Sequence, residues 1–285
     1  MRTFLAPGKI VLLGEYAVLD GAPALVTAVD RGVRCEVSEA EARSWSVPDD
    51  DRFVAAALAH APPGHYAFSA WNPPPTGTKP GLGTSAAAVV CALAAAQRVA
   101  PLPRQQLFTR ALAAHRAVQG SGSGVDVAAS TWGGVLSYAA EQATPVPLPE
   151  ALEISLVWSG SSSSTGPRVQ LYLAWAKRGP FTEASARIVA RFPADPLGAV
   201  RSNRRLLVRM AAATGLEYQT PALDRIVSLA RDHGGAAKPS GAGGGDSAVA
   251  LFTNPDDRLA FEVAAHREGL HVIPVSISPG AREVG

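Results

Sequence analysis

The 285-residue sequence predicts an α+β protein of two domains. Segments typical of strands and segments typical of helices are mixed along the chain rather than strictly alternating, which favours α+β over a doubly wound sheet. A proline-rich stretch, Pro145–Pro149, interrupts this pattern and marks the predicted boundary between domains 1–150 and 151–285. Because 47% of the residues are apolar, the chain can bury a large core and is not expected to be disordered.

Residues 4–37 are predicted to form strands around a tight turn. Apolar runs over Ile10–Leu13 and Ala24–Val29 flank the turn-forming pair Asp20–Gly21. The segment Trp71–Pro75 ends in three consecutive prolines, which exclude helix, so it is predicted to be a loop. The rest of the stretch before it, from residue 49, is predicted to be largely irregular.

Two helices are predicted in the first half of the chain. Thr84–Val99 is alanine-rich and apolar nearly all round, which indicates a buried helix. Arg104–Gln119 has one apolar face and is followed by Gly120, a residue type typical of the position after a helix. The other predicted elements are a short helix at Phe53–His60, a strand at Ile154–Trp158, helices at Val169–Lys177, Phe181–Ala190, Leu197–Thr214 and Leu223–His233, a strand at Ala248–Phe252, a helix at Asp256–Glu268 and a strand at His271–Ile277.

Composition excludes several classes of function. The net charge of +2, without a basic stripe that carries aromatic residues, predicts no nucleic-acid partner. No apolar run is long enough to span a bilayer, and the first motif begins at Pro7, so we expect no membrane association, no signal peptide and a cytoplasmic protein. Cys35 and Cys91 stand alone in apolar stretches and are predicted to be buried free thiols. A monomer and a homodimer both remain open.

Three glycine-rich segments carry the functional signal: Pro7–Gly21 (PGKIVLLGEYAVLDG), Lys79–Val90 (KPGLGTSAAAVV) and Lys238–Leu251 (KPSGAGGGDSAVAL). Glycine lets the backbone approach a bulky anion and adopt positive φ. Each segment contains or begins with a lysine, although only four of the 26 basic residues are lysines. Their combination predicts a kinase that binds a small nucleotide.

The second segment leads directly into the alanine-rich helix. A helix N-terminus has free N–H groups and a partial positive charge, so it can bind phosphate. Gly81 and Gly83 would allow close approach, and the hydroxyls of Thr84 and Ser85 could meet phosphate oxygens or Mg²⁺. The spacing is not that of a Walker A motif. An ordinary helix cap is the alternative interpretation.

The segment Ala114–Gly134 (AHRAVQGSGSGVDVAASTWGG) places Asp126 between a flexible loop and an apolar stretch. A carboxylate there is either a helix N-cap or a placed catalytic group, and the GSGSG run is either a built loop or a linker. The residues alone leave both alternatives open.

Taken in order, the three segments resemble the motifs of the GHMP kinase superfamily, and the resemblance spans almost the whole chain. PGKIVLLGEYAVL is similar to its first motif, GLGTSAA to its nucleotide loop and KPSGAGGGDS to its third motif. The resemblance implies a ribosomal-protein-S5-domain-2-like N-terminal domain, a ferredoxin-like C-terminal domain, and ATP and Mg²⁺ as cofactors.

Within the superfamily, Ala114–Gly134 resembles the phosphomevalonate kinases. Mevalonate kinases instead have a Mg²⁺-binding glutamate eleven residues before the aspartate, whereas this chain has His115 there, and imidazole is a poor ligand for Mg²⁺. The implied reaction is transfer of the ATP γ-phosphoryl group to the small molecule 5-phosphomevalonate. An alcohol-phosphorylating kinase, such as a mevalonate kinase, and a non-catalytic ligand sensor are the alternatives.

The resemblance also implies roles for single residues. Lys9 and Asp126 are the expected catalytic residues, and Ser85 is the expected metal ligand. Nucleotide binding is expected of Lys79, Pro80, Gly81, Leu82, Gly83, Thr84, Ser85 and Ala86. Acceptor binding is expected of Lys9, Tyr16, Ser121, Ser123, Gly124, Lys238, Ser240, Gly241 and Ala242. Arg116 and Arg168 are further candidates for the anionic acceptor, against the alternative of solvated helix charges.

Overall fold

The computed structural model describes residues 1–74 and 80–284. Within them, two β-sheets of seven and four strands form the framework. The strands are β1 (Arg2–Leu13), β2 (Ala24–Ser38), β3 (Arg43–Ser46), β4 (Gly64–Trp71), β5 (Val135–Ala139), β6 (Gln142–Pro145), β7 (Glu153–Trp158), β8 (Ala236–Pro239), β9 (Ser247–Phe252), β10 (His271–Ile273) and β11 (Arg282–Val284). The first sheet has the order β11-β1-β2-β4-β3, and the hairpin of β5 and β6 joins it through β2.

Helices cover both sheets and confirm the α+β class. They are α1 (Arg52–Leu58), α2 (Thr84–Ala96), α3 (Arg104–Gln119), α4 (Val125–Trp132), α5 (Thr165–Leu173), α6 (Arg178–Arg191), α7 (Pro196–Thr214), α8 (Pro221–Asp232) and α9 (Pro255–Arg267). Helices α1 to α4 share one hydrophobic core with the first sheet. As its composition predicts, α2 is buried around most of its circumference.

The second sheet has the order β10-β7-β9-β8, with neighbouring strands antiparallel. Numbered by their order along the chain, its strands run 4-1-3-2, and helices separate the first from the second and the third from the fourth. This is the β-α-β-β-α-β arrangement of a ferredoxin-like domain, as the resemblance implies.

Strand β1 joins the two halves of the molecule because both of its faces are buried. Val11 packs in the core beneath α2, whereas Ile10 and Leu12 pack in a second core with Leu156 and Val249 of the second sheet. A strand that is covered on both faces needs a nearly continuous apolar sequence, and β1 is buried from Phe4 to Leu13.

Three helices of the second half begin with the same capping arrangement. An Asp, Thr or Asn side chain accepts a hydrogen bond from the first helical turn, and a proline follows directly. The caps are Asp195, Thr220 and Asn254, for α7, α8 and α9. Proline at this point forgoes an N–H that would have no helical partner.

Several element predictions were wrong. Residues 64–71, predicted to be irregular, form β4, and the hairpin of β5 and β6 precedes the predicted domain boundary. The third glycine-rich segment begins with the unexpected strand β8, and α5 starts at Thr165 instead of Val169. Strand β10 ends at Ile273, before Pro274, because the chain there leaves the second sheet.

After β10 the chain returns to the first sheet. Ile277 bridges to Val29, Pro279 bridges to Gly133, and β11 pairs antiparallel with β1. The last residues therefore lie on the first sheet although they belong to the predicted second domain. The division into residues 1–150 and 151–285 stays a prediction.

No helix in the described ranges is long and apolar enough to cross a membrane. Cys35 and Cys91 are buried free thiols, as expected, and burial raises the pKa of the Cys35 thiol to about 12.

The returning segment provides a test of the fold through two adjacent glycines. Gly133 and Gly134 both have positive φ, but a Cβ at Gly133 would lie within 2 Å of the Gly280 nitrogen, whereas nothing lies within 4 Å of one at Gly134. Gly134→Ala should cost about 1–2 kcal/mol of unfolding free energy for its backbone conformation. Gly133→Ala should cost about 1–3 kcal/mol more, because backbone must also move. Urea unfolding measures both, and equal losses would contradict this packing of the C-terminal segment.

Candidate active site

A cleft of about 540 Å³ brings together the three glycine-rich segments. Its walls also include the loop over residues 121–124, the first turn of α4 and the residues just before α5. Segments that are more than 200 residues apart in sequence therefore meet around one space.

The second glycine-rich segment forms the loop that leads into α2. Gly83 is the N-cap of α2, with φ of +74°. A Cβ at this position would lie 3.2 Å from Asp126 Oδ2 and 3.3 Å from Lys9 Cε, so a side chain would intrude between these two residues. The N–H of Lys9 donates to the Leu82 carbonyl over 2.8 Å, which fixes the loop against β1. The free amides of α2 thus open onto the cleft.

Lys9 and Asp126 meet beside this loop, as expected of the two catalytic candidates. Lys9 Nζ lies 3.9 Å from Asp126 Oδ1 and donates a hydrogen bond to the Gly81 carbonyl over 3.2 Å. The lysine side chain is 8% exposed and the aspartate 36%. The lysine ammonium is therefore largely enclosed by protein, while the carboxylate of Asp126 remains accessible from the cleft.

The loop before α4 is fixed by specific contacts and is not a flexible linker. Tyr138 donates its hydroxyl proton to the Ser123 carbonyl, and a Cβ at Gly124 would lie 2.8 Å from the same hydroxyl. Gly124 is the N-cap of α4, so Asp126 lies in the first turn and is not the cap. This position leaves its carboxylate free to face Lys9.

Ser85 lies in the first turn of α2, and its hydroxyl is 3.2 Å from His115 Nε2. The imidazole is buried and packs against the ring of Phe53. Burial lowers the pKa of His115; the nearby Asp126 opposes this effect and Arg116 adds to it. A neutral imidazole therefore faces Ser85.

The third glycine-rich segment closes the cleft from the side of the second sheet. Ser240 Oγ accepts a hydrogen bond from Val11 N over 3.0 Å, and Tyr16 donates its hydroxyl proton to the Ala242 carbonyl over 2.6 Å. A Cβ at Gly241 would lie 3.8 Å from Lys9 Nζ. The expected acceptor-binding residues Ser240, Gly241 and Ala242 thus lie next to Lys9.

Lys238 is a correction to the expected acceptor site. It is fully buried and does not line the cleft. Its ammonium forms an ion pair with Glu15 and donates to the carbonyls of Val11 and Pro239. All three donors are thereby used inside the protein, so the structure does not bring the Lys238 ammonium to the cleft, where contact with the acceptor was predicted.

The two candidate arginines have different surroundings. Arg116 lines the cleft, where it pairs with Glu141 over 2.7 Å and donates to the Gly122 carbonyl. Arg168 does not line the cleft; it donates to Ser163 Oγ and to the Glu217 carbonyl and packs against Gly244. Arg116 remains a candidate for the acceptor, whereas Arg168 supports the third loop.

Asp246, which follows the glycines of the third segment, is a cleft residue that sequence reasoning missed. Its φ is +55°, its Oδ1 accepts from Ser163 N over 3.0 Å, and its carboxyl group lies against Gly81. Burial raises the pKa of this carboxyl, while Lys9 and Arg168 oppose the effect. A lone carboxylate within a glycine run was the signal that could have identified it.

Apart from Lys238, the expected site residues fall into three groups. Those that line the cleft are Lys9, Tyr16, Gly81, Leu82, Gly83, Thr84, Ser85, Ser121, Ser123, Gly124, Asp126, Ser240, Gly241 and Ala242. Pro80 and Ala86 are buried behind the loop, where Ser247 Oγ donates to the Pro80 carbonyl. Lys79, and with it Pro75 at the end of the predicted loop, lies outside the described residues.

The donor atoms of the cleft suit a hard cation that arrives with phosphate. Ser85 offers a hydroxyl oxygen, and Asp126 and Asp246 offer carboxylates, which are the oxygen ligands that Mg²⁺ prefers. Among the described residues, no three His, Cys, Asp or Glu side chains are grouped so that they could hold a metal. The site therefore fits Mg²⁺ held by one or two protein oxygens together with a bound nucleotide.

Family models match both halves of the chain. The model of the GHMP kinases N terminal domain matches residues 55–134, and the model described as GHMP kinases C terminal matches residues 196–269. Together they match more than half of the chain.

Individual relatives match the chain over nearly its full length. The chain is 29% identical to a phosphomevalonate kinase of Streptomyces sp. (strain CL190), over 96% of each chain. It is 28% identical to a mevalonate kinase of Archaeoglobus fulgidus, over 94% of this chain and 98% of the relative.

Solved structures have the same fold. The Lin0012 protein from Listeria innocua matches with a TM-score of 0.89 at 22% identity, covering 100% of this chain and 99% of its own. Streptococcus pneumoniae phosphomevalonate kinase, in complex with phosphomevalonate and AMPPNP, matches with a TM-score of 0.84 at 18% identity, covering 98% and 100%. Because the N-terminal and C-terminal family models match in their expected order and together cover more than half of the chain, this chain belongs to the GHMP kinase family.

Proposed function

We propose that this kinase transfers the γ-phosphoryl group of ATP to the phosphate of 5-phosphomevalonate, forming the 5-diphosphate. The observation that carries the choice of acceptor is the neutral His115 beside Ser85. The mevalonate kinases of the family have a carboxylate eleven residues before the aspartate, where this chain has His115.

A charge argument connects this histidine to the acceptor. A phosphate monoester brings about −1.5 to −2 charges to the reacting centre at pH 7, whereas an alcohol brings none. A neutral imidazole in place of a carboxylate removes one negative charge from the protein side of the cleft. The total charge beside the nucleotide phosphates then stays similar when the reacting group of the acceptor is a phosphate, so His115 favours a phosphate acceptor over mevalonate, whose reacting group is an alcohol.

The roles of the other groups follow from phosphoryl-transfer chemistry. The transition state is loose, so positioning and charge neutralisation supply most of the catalysis. The amides and hydroxyls from Gly81 to Ser85 would hold the nucleotide phosphates, and Lys9 would neutralise charge on the transferred group. Bound Mg²⁺, with Ser85 as a protein ligand, would supply further neutralisation of the phosphate oxygens. Lys79 stays a predicted phosphate ligand.

Asp126 has less need to act as a base in this reaction than in alcohol phosphorylation. The second pKa of a phosphate monoester is about 6, so the attacking oxygen is mostly deprotonated at pH 7. The carboxylate of Asp126 instead faces the Lys9 ammonium. We therefore assign it the orientation of Lys9 and of the acceptor.

The direct test of the acceptor is ADP release with Mg·ATP and either 5-phosphomevalonate or mevalonate. We expect turnover with 5-phosphomevalonate and at least about 10²-fold lower kcat/KM with mevalonate, because mevalonate leaves the phosphate-binding groups without a partner. Preferred turnover of mevalonate would contradict the charge argument at His115. Nucleotide binding without turnover of either compound would instead support a ligand sensor.

Asp126→Asn tests the assignment of this carboxylate. The amide keeps the shape of the side chain, so we expect kcat to fall by less than about 10²-fold, the smaller end of what loss of a general base costs.

Lys9→Met should reduce kcat by about 10²–10³-fold, because it removes a positive charge at the transferred group. Steady-state kinetics at saturating ATP measure both, and a fall to the uncatalysed rate in Asp126→Asn would identify Asp126 as an essential base.

Arg116→Met tests the acceptor side of the cleft. Loss of one charge-assisted hydrogen bond, about 1.5–3 kcal/mol, should raise KM for 5-phosphomevalonate by roughly tenfold or more and change KM for ATP little. Arg110→Met is the matched control, because Arg110 is an exposed arginine on the same helix and does not line the cleft. Equal changes in both KM values, or no change, would remove Arg116 from the acceptor site.

A further inference from the structure

A buried polar cluster lies beside residues 240–246, the loop between β8 and β9 in the third glycine-rich segment, which is called the third glycine-rich loop below. Lys238 forms an ion pair with Glu15, and the second carboxylate oxygen of Glu15 accepts from Asn203 Nδ2 over 2.8 Å. All three side chains are at most 4% exposed. Lys238 has no free donor left, since its Nζ also donates to the carbonyls of Val11 and Pro239 over 3.2 and 2.9 Å.

The cluster joins parts of the chain that must move together if the cleft is to keep its shape. Glu15 follows the end of β1, Asn203 lies on α7 and Lys238 lies on β8. The end of the first strand is therefore attached to α7 and β8, two elements of the second half of the molecule, by hydrogen bonds and an ion pair.

The same cluster lies close to Lys9 along the backbone. Val11, whose carbonyl accepts from Lys238, is two residues from Lys9 on β1, and its N–H donates to Ser240 Oγ. Lys238 and Ser240 are themselves two residues apart. The third loop is thus held against β1 at the level of Lys9, where a Cβ at Gly241 would come within 3.8 Å of Nζ.

Stability alone is a weak reason for such a cluster. A buried ion pair is often no more stabilising than a well-packed apolar pair of the same volume, because both charges lose their water. Burial indeed lowers the pKa of Lys238, and Glu15 opposes this effect. An ion pair differs from an apolar contact in being directional, so its contribution is the geometry that it fixes.

We propose that Lys238 and Glu15 are positioning residues for phosphoryl transfer. Lys238 does so from outside the cleft: the ion pair holds the third glycine-rich loop against β1 and so sets where Lys9 Nζ lies relative to that loop. The inference rests on the proposed function for its kinetic readout, and it replaces the direct contact with the acceptor that the sequence suggested for Lys238.

The first variant is Lys238→Met, which removes the ammonium and keeps an unbranched side chain. Lys177→Met is the matched control, because Lys177 is exposed and lies outside the cleft. We expect kcat with 5-phosphomevalonate to fall by about 10²-fold, the scale of an ångström-sized misplacement, while both KM values change less than about threefold. Amide hydrogen exchange should accelerate over residues 240–246 and stay unchanged over α9.

Two kinetic outcomes would overturn the proposal. Lower thermal stability with unchanged kcat and unchanged exchange of the loop would mean that the ion pair serves stability alone. A rise in KM for the acceptor only, at unchanged kcat, would mean that Lys238 contacts the acceptor after all.

A second variant keeps the test decisive if an unpaired buried Glu15 prevents folding of Lys238→Met. Glu15→Gln/Lys238→Met removes both charges and should fold; a kcat that stays low, with accelerated loop exchange, supports positioning, and full recovery of kcat overturns it. Should the wild-type protein turn over neither acceptor, the proposed function fails by itself. The exchange of residues 240–246 in this variant then decides the positioning proposal: acceleration supports it, and unchanged exchange overturns it.

Discussion

The backbone of β1 around Lys9 is the constraint on which the site depends. This stretch lies between two register shifts in its pairing with β2, after Pro7 and after Val11. Its polar groups hold two of the glycine-rich segments: Lys9 N donates to Leu82 of the second segment, while Val11 bonds with Ser240 and Lys238 of the third segment. The Lys9 side chain is then enclosed between the loops. One strand with both faces buried thereby fixes the distance between the two walls of the cleft.

Burial explains why the site keeps its shape with so few residues devoted to chemistry. Glu15 and Lys238 neutralise each other in a buried ion pair, and Asp246 is restrained by Ser163 and Gly81. Groups with hydrogen-bonding partners on several elements cannot rotate to follow a ligand. The cleft is therefore preorganised, which is what a loose phosphoryl-transfer transition state requires of a protein.

Local patterns predicted the parts of this fold that local patterns determine. The apolar run of β1, the alanine-rich α2 and the three glycine-rich loops follow from composition and spacing, and their meeting at one cleft follows from the family resemblance. Lys238 was predicted at the acceptor because Ser240, two residues on, belongs to the glycine-rich loop, but the structure directs its ammonium into the protein. Strand direction decides this, and a glycine-rich sequence does not reveal that β8 precedes the loop. Asp246 was missed because its positive φ and its contact with Gly81 are tertiary properties.

The charges that line the cleft bear on the proposed use of Mg²⁺. Among the described lining residues, Lys9 and Arg116 are basic, whereas Glu15, Asp126 and Asp246 are acidic. Lys238 pairs with Glu15 beneath the cleft and Arg116 pairs with Glu141, so these positive charges already have acidic partners, and burial lowers the pKa of His115. If the proposed function holds, two anionic substrates meet beside these charges. The amides at the start of α2 would supply partial positive charge to them, and Mg²⁺ entering with the nucleotide would supply more. On that proposal, a need for metal follows from how completely the described residues pair their own charges.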